Sequence, residues 1–185
     1  MKALKICAAA LRGVLVALCV ALCAYNIYVL VQRYAFGNQM PTVFGFAGAE
    51  VVTGSMDDDS GDDDIEVGDF VITRAQDEYA VGDVVTFYHA QDDIYITHRV
   101  VAVNGTTYTI RGDYPANSAS DIVPLENIVG KVVLVIGGAG GVLEFFRSPA
   151  GLLVVIAAGV LIWLISDIVS DLIDRRKEKD EESED

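Results

Sequence analysis

Two long stretches without a charge frame this chain and limit what it can fold into. Gly13 to Val31 (GVLVALCVALCAYNIYVLV) runs for nineteen residues and Pro149 to Ser166 (PAGLLVVIAAGVLIWLIS) for eighteen. At about 1.5 Å rise per residue each would cover roughly 27–29 Å as a helix, close to the hydrocarbon thickness of a bilayer. Both are therefore expected to span a membrane, the second reaching Val169 and extending toward the interface through Leu172 and Ile173. Met1, Lys2, Lys5 and Arg12 before the first run resemble the basic start of a secretory signal peptide. However, the apolar run is too long for that class, and Arg33-Tyr34-Ala35 puts arginine where a cleavage site wants a small residue. An uncleaved anchor is expected. The competing reading of the second run, a buried core helix, suits a shorter stretch better.

The rest of the composition fits this division. Hydrophobic residues make up 52% of the chain, yet its formal net charge is −14. Apolar residues are concentrated in the two runs and acids lie elsewhere. Lys2, Lys5 and Arg12 precede the first run, and Arg175, Arg176, Lys177 and Lys179 follow the second, so the positive-inside rule places both termini in the cytoplasm. The expected layout is a cytoplasmic N-terminus (1–12), a transmembrane helix (13–31), an extracytoplasmic domain (32–148), a second transmembrane helix (149–169) and an acidic cytoplasmic tail (170–185). The middle segment is acidic, which argues against nucleic acid as a partner. Cys7, Cys19 and Cys23 lie in or beside the first run, so the middle segment has neither a disulfide framework nor a thiolate zinc site.

Between the spans, Gln32 to about Ala49 reads as a connector punctuated by Gly37, Pro41, Gly45 and Gly48. Then come short runs rich in Val, Ile, Thr and Tyr: Asp69–Arg74, Val84–Tyr88, Ile94–Val103, Thr106–Ile110 and Val129–Ile136. Bounded by Gly and Asp, these are strand signals. Asn104-Gly105 predicts a hairpin with a type I′ turn, because both residues tolerate positive φ. Val67-Gly68-Asp69 and Val81-Gly82-Asp83 each introduce a strand and suit a tight turn whose aspartate bonds nearby backbone. The expected fold class is mostly β, with a small barrel or sandwich between two membrane helices.

A hydrolytic site needs a nucleophile, a base and oxyanion donors. The middle segment offers few bases: His89, His98 and Lys131. Thr53-Gly54-Ser55-Met56 follows a short apolar approach, and the glycine beside Ser55 lets the backbone present its hydroxyl to a cleft. By itself Gly-Ser is common in loops, a strand histidine such as His98 is usually structural, and Asp113 would read as a turn residue. His89, before Gln91-Asp92-Asp93, reads as exposed. Arg99, next to His98 in a strand, should point to the opposite face, where an ion pair with an acidic loop suits it better than catalysis.

Order and spacing together say more. Gly54-Ser55-Met56 is followed by Val81-Gly82-Asp83-Val84-Val85, Thr97-His98-Arg99-Val100, Gly112-Asp113 with Asn117-Ser118, and Ile128-Val129-Gly130-Lys131-Val132-Val133. This series, over about Val51 to Val135, resembles type I signal peptidases. It is most similar to the endoplasmic-reticulum-like Ser/His branch found also in archaea and Gram-positive bacteria. The resemblance implies a small signal-peptidase-like β domain outside the membrane and a serine endopeptidase that removes signal peptides. Ser55 would be the nucleophile and His98 the general base, where the main bacterial branch has lysine. Asp113 matches the Gly-Asp motif, and Asp121, a little farther on than the family's spacing, is the candidate acid that orients the base. Thr53 would join the Ser55 backbone N–H as oxyanion donor. The resemblance implies no cofactor and no metal. Its partners would be signal-peptide-bearing precursor proteins, with small residues flanking the cut and bound in extended form, together with membrane lipid.

One segment departs from the family. Where a Glu-Pro is usual, Ser55-Met56 is followed by Asp57-Asp58-Asp59-Ser60-Gly61-Asp62-Asp63-Asp64. The EF-hand pattern fails here, because with Gly61 at position six, Met56 would be at position one. The alternative function is a catalytically inert, membrane-anchored β domain that binds calcium or protein partners through this loop. If the loop lies near the site, its aspartates favour the imidazolium form of His98 and raise its pKa.

Overall fold

The structure is a computed structural model that describes residues 2–57, 65–116 and 119–182. It divides into two units, one formed by residues 1–31 and 146–185 and the other by residues 32–145.

The first unit holds most of helix α1 (Lys2–Phe36) and helix α3 (Pro149–Glu182). Within them, Ala9–Phe36 and Pro149–Val169 are long and apolar enough to cross a membrane. Their surfaces are bare of protein: 11% and 6% of the most apolar windows are buried, where a soluble core helix would be mostly covered. The two helices run antiparallel. Arg12 lies over the Trp163 ring at 5.9 Å, and seven residues further along α1, Cys19 faces Gly159. A Cβ on Gly159 would sit 3.5 Å from that of Cys19, an ordinary contact, so the helices approach closely there.

The second unit is built on one seven-stranded antiparallel sheet, in the order β1-β2-β7-β3-β4-β5-β6. The strands are β1 (Phe46–Glu50), β2 (Phe70–Arg74), β3 (Val84–His89), β4 (Ile94–Asn104), β5 (Thr107–Arg111), β6 (Asp121–Pro124) and β7 (Ile128–Ile136). A short helix, α2 (Gly140–Phe146), follows the last strand. The five strand runs read from the sequence are all present. Two more, β1 and β6, and helix α2 were not expected. Taken whole, the chain is not mostly β: α1 and α3 alone hold 35 and 34 residues, so the β description belongs to the middle unit.

Alternation along β3 explains how one sheet carries two cores. Val85 and Phe87 join a cluster with Tyr79, Val100, Tyr108, Ile110, Val123 and Ile128. Val84, pointing the other way, packs with Met56, Ile65, Val71 and Val132. Strand β7 is shared between the two halves of the sheet. Its residues Ile128 to Lys131 pair with β3, and Lys131 to Ile136 pair with β2, with a register shift on each side. At this handover Gly130 is essential. A Cβ there would lie 2.5 and 2.6 Å from the backbone carbon and oxygen of Arg74.

The two Val-Gly-Asp turns form as expected. Gly68 and Gly82 take φ of 93° and 96°, a region that suits glycine. Asp69 and Asp83 each accept the N–H three residues earlier, from Glu66 and Ala80. The hairpin between β4 and β5 differs in detail. Asn104 is still paired, with Thr107, so the two-residue loop is Gly105-Thr106, and only Gly105 has positive φ (63°). That is the type II′ pattern with glycine first, not the type I′ turn expected from Asn104-Gly105.

Gly130→Ala should destabilise the protein by at least about 2 kcal/mol, because rigid backbone must move to admit the methyl group. Gly48→Ala should cost less, since its Cβ meets the rim of the Phe70 ring at 2.7 Å and a side chain can turn aside. Denaturation of the detergent-solubilised chain checks this order.

Candidate active site

The Ser55 segment is held by its neighbours on both sides. Val51 exchanges backbone hydrogen bonds with the first Val-Gly-Asp turn, donating to Asp69 and accepting from Gly68, both at 2.8 Å. Met56 is 2% exposed and lies in the core cluster with Ile65 and Val71. The Asp57 N–H bonds the Gly54 carbonyl, closing a turn around Ser55 and Met56. Burying Met56 thus fixes Ser55 at the border of the core, half-buried. Its hydroxyl lies 3.4 Å from that of Thr53, which brings the proposed nucleophile and oxyanion donor together.

His98 and Arg99 are successive residues of β4. In the ladder with β3, His98 is opposite Val85 and Arg99 opposite Val84. Cross-strand partners share a face, so His98 lies on the side of the larger cluster and Arg99 on the side of the Met56 cluster. Arg99 uses this position as expected. Its Nε and Nη2 donate to Asp113 Oδ2 at 2.9 and 2.6 Å, and Nη1 donates to the Gly82 carbonyl at 3.0 Å. Strand β5 ends at Arg111, the partner of Arg99. Beside His98 the chain has therefore left the sheet as the Gly112–Tyr114 loop. That loop carries Asp113, and its Tyr114 N–H donates to the Ser55 carbonyl at 3.0 Å.

The sequence motifs are thus joined in space. Gly82 and Asp113 meet at Arg99, and the loop after Asp113 holds Ser55. The remaining motif is joined to the Gly82-Asp83 turn through Lys131, whose Nζ lies 2.6 Å from Asp83 Oδ1. Burial alone would raise the pKa of Asp83, but the Ala80 N–H and the Lys131 ammonium outweigh it and hold the carboxyl below its usual value.

His98 itself is half-buried against Phe87, with ring centroids 6.2 Å apart. Both ring nitrogens are shielded from solvent and neither has a hydrogen-bond partner among the described residues. The Ser55–His98 hydrogen bond is therefore not formed in this structure. Neither Asp113, held by Arg99, nor Asp121 is hydrogen-bonded to the ring. Burial pushes the His98 pKa below its ordinary value, while the charges of Asp121 and, more weakly, Asp113 push it back up. The expected opposite shift rested on the acidic loop, of which Asp58–Asp64 lie outside the described residues, as do Asn117 and Ser118.

Asp121 meets the other histidine. Its Oδ1 lies 3.7 Å from His89 Nε2, and Asp92 Oδ2 lies 3.0 Å from His89 Nδ1. His89 is not exposed as the sequence suggested, since its side chain retains 18% of its accessibility. The sequence carried no signal for the contact with Asp121, which comes from a strand that was not foreseen. Among the described residues, no group of three or more His, Cys, Asp or Glu side chains forms a metal site. In comparisons with known proteins, no family model and no curated sequence matches this chain.

A double-mutant cycle on Arg99→Ala and Asp113→Ala should return a coupling of about 1–2 kcal/mol. This is modest for a charged fork because part of the arginine remains wet. His98 gives a second expectation. Its pKa is lower in the folded state than the unfolded value near 6.5, so its contribution to stability is complete above that value and is lost as pH falls through the folded one. His98→Asn should flatten that part of the decline in melting temperature between neutral and mildly acidic pH.

Proposed function

We propose that this chain is a membrane-bound serine endopeptidase that removes signal peptides from exported precursor proteins. In this reading Ser55 is the nucleophile and His98 the general base. The observation that carries it is the convergence of the ordered motifs: the Ser55 segment, the Asp113 loop, Arg99 and the Gly82 turn form one chain of hydrogen bonds beside His98.

The chemistry follows from the groups available. A serine hydroxyl attacks a peptide carbonyl only when a base takes its proton. His98, kept neutral by burial, has an unspent acceptor for this purpose. Its bond to Ser55 Oγ has to form when substrate binds; catalytic hydrogen bonds are often loose until the site is occupied. The imidazolium that results is stabilised by the charges of Asp121 and Asp113. The carbonyl oxygen, now an oxyanion, receives the Ser55 N–H and the Thr53 hydroxyl. His98 then returns the proton to the leaving amine, and water repeats the sequence on the acyl-enzyme.

Location is part of the same proposal. α1 and α3 serve as membrane anchors. Their antiparallel course supports both termini lying on one side, which the flanking basic residues make the cytoplasmic side. The middle unit is then extracytoplasmic. An extended substrate can add to the sheet at an edge strand, as peptides do on other exposed sheet edges.

Membranes holding the wild-type chain should cut a reporter precursor that has a small-x-small signal site. Ser55→Ala and His98→Ala should leave no detectable cutting, while Thr53→Val, which keeps the shape but loses the donor, should lower kcat by about 10²-fold. Cutting by the two alanine variants at the wild-type rate would overturn the mechanism.

A further inference from the structure

The second histidine of the middle unit has a place in this site that the motif series does not assign. His89 and His98 flank one ring: Phe87 lies 6.4 Å from the first and 6.2 Å from the second, centroid to centroid. Both face the larger cluster, because His89 and Phe87 alternate on β3 and His98 is opposite Val85. Asp121 lies on the same face, opposite Ile110 of that cluster. Its carboxylate lies 3.7 Å from His89 Nε2, an ion pair when that ring is protonated, and its charge also acts on His98. One carboxylate thus lies against one imidazole and on the same face of the sheet as the other.

We propose that His89 is a positioning residue which, by ion-pairing Asp121, sets how strongly that carboxylate acts on His98 and so fixes the acid limit of the enzyme. The proposal rests on the peptidase reading for its catalytic consequence, though not for the coupling itself.

The surrounding charges leave this role to His89. From the turn after β3, Asp92 contacts His89, and Asp93 accepts the Tyr88 hydroxyl. Arg99, on the other face of β4, is forked to Asp113 beyond β5. Lys131 on β7 is paired with Asp83. Arg111 follows Ile110 on β5 and so points to the face opposite Asp121, which leaves His89, among the described residues, as the group against Asp121 that can take a positive charge. The Asp92 contact is one of charge and not an aligned hydrogen bond, so protonating His89 strengthens both of its acidic contacts.

The direction of the effect follows. An unpaired Asp121 favours the imidazolium form of His98 and removes the base as pH falls. A protonated His89 offsets Asp121 and repels a second proton, so His98 stays neutral to lower pH.

The test uses the full chain in detergent. The protein has two histidines, so His89→Gln leaves a single imidazole whose pH titration can be followed by NMR in a Ser55→Ala background, without any cleavage. The His98 midpoint should rise by about half to one pH unit, and the acid limb of kcat/KM by the same amount. That is a threefold to tenfold loss on the acid side of the limb that shrinks as pH rises. His89→Arg, a fixed cation, should return the limb to the wild-type position or below it. On an Asp121→Asn background, His89→Gln should no longer move the midpoint. Superimposable His98 titrations in wild type and His89→Gln, or equal losses at every pH for the Gln and Arg variants, would overturn the proposal. If the NMR shift appears while wild type cuts no precursor, the coupling stands and the peptidase reading fails.

Discussion

The Arg99–Asp113 fork is the interaction on which the middle unit's site depends. It joins a central strand to a loop that has left the sheet, and the same guanidinium reaches back to the Gly82 turn. Its planar donor ties the Gly112–Tyr114 loop to β4, and from that loop the Tyr114 N–H meets the Ser55 carbonyl. Lysine could match the charge but not the two-pronged geometry. Arg99 thus helps determine where the Ser55 segment stands.

A second constraint is the alternation of β3 and β4. The same period of two that gives the sheet a core on each face also sends His98 and Arg99 in opposite directions. His98 is left in an apolar setting against Phe87, and the neighbouring cation, Arg99, is occupied with Asp113. A chain with a net charge of −14 has many carboxylates that would hold an exposed histidine protonated. Burial counters that tendency, and it does so because the histidine sits on the core side of its strand.

Much of this was legible in the sequence, and the gaps have physical causes. Long apolar runs and β-branched alternation are strong signals, so both helices and five strands could be read directly. Strand β1, FAGAE, carries little β propensity. It is a strand because Gly48 lets the Phe70 ring lie against its backbone, a tertiary fact. Strand β6 has four residues and ends in proline, which is characteristic of a sheet edge and easily taken for loop. The hairpin turn was placed one residue early because Asn-Gly is favoured locally, while the ladder kept Asn104 paired. Arg99's ion pair was foreseen from pleat alone. The contact of Asp121 with His89 was not, because it needs β6 to lie near the end of β3, and nothing in either segment announces that.

The handover along β7 has a mechanical meaning. The Ser55 segment belongs to the half-sheet of β1 and β2, and His98 belongs to the half formed by β3 to β6. Nine residues of one strand splice the two halves of the sheet, with a register shift on each flank. Ser55 and His98 therefore sit on two plates joined at a seam and tied across it by the Tyr114–Ser55 hydrogen bond. A small shear along that seam would have to stretch this tie, so their separation is set by both. Gly130, where no side chain fits, sets how tightly the plates are clamped.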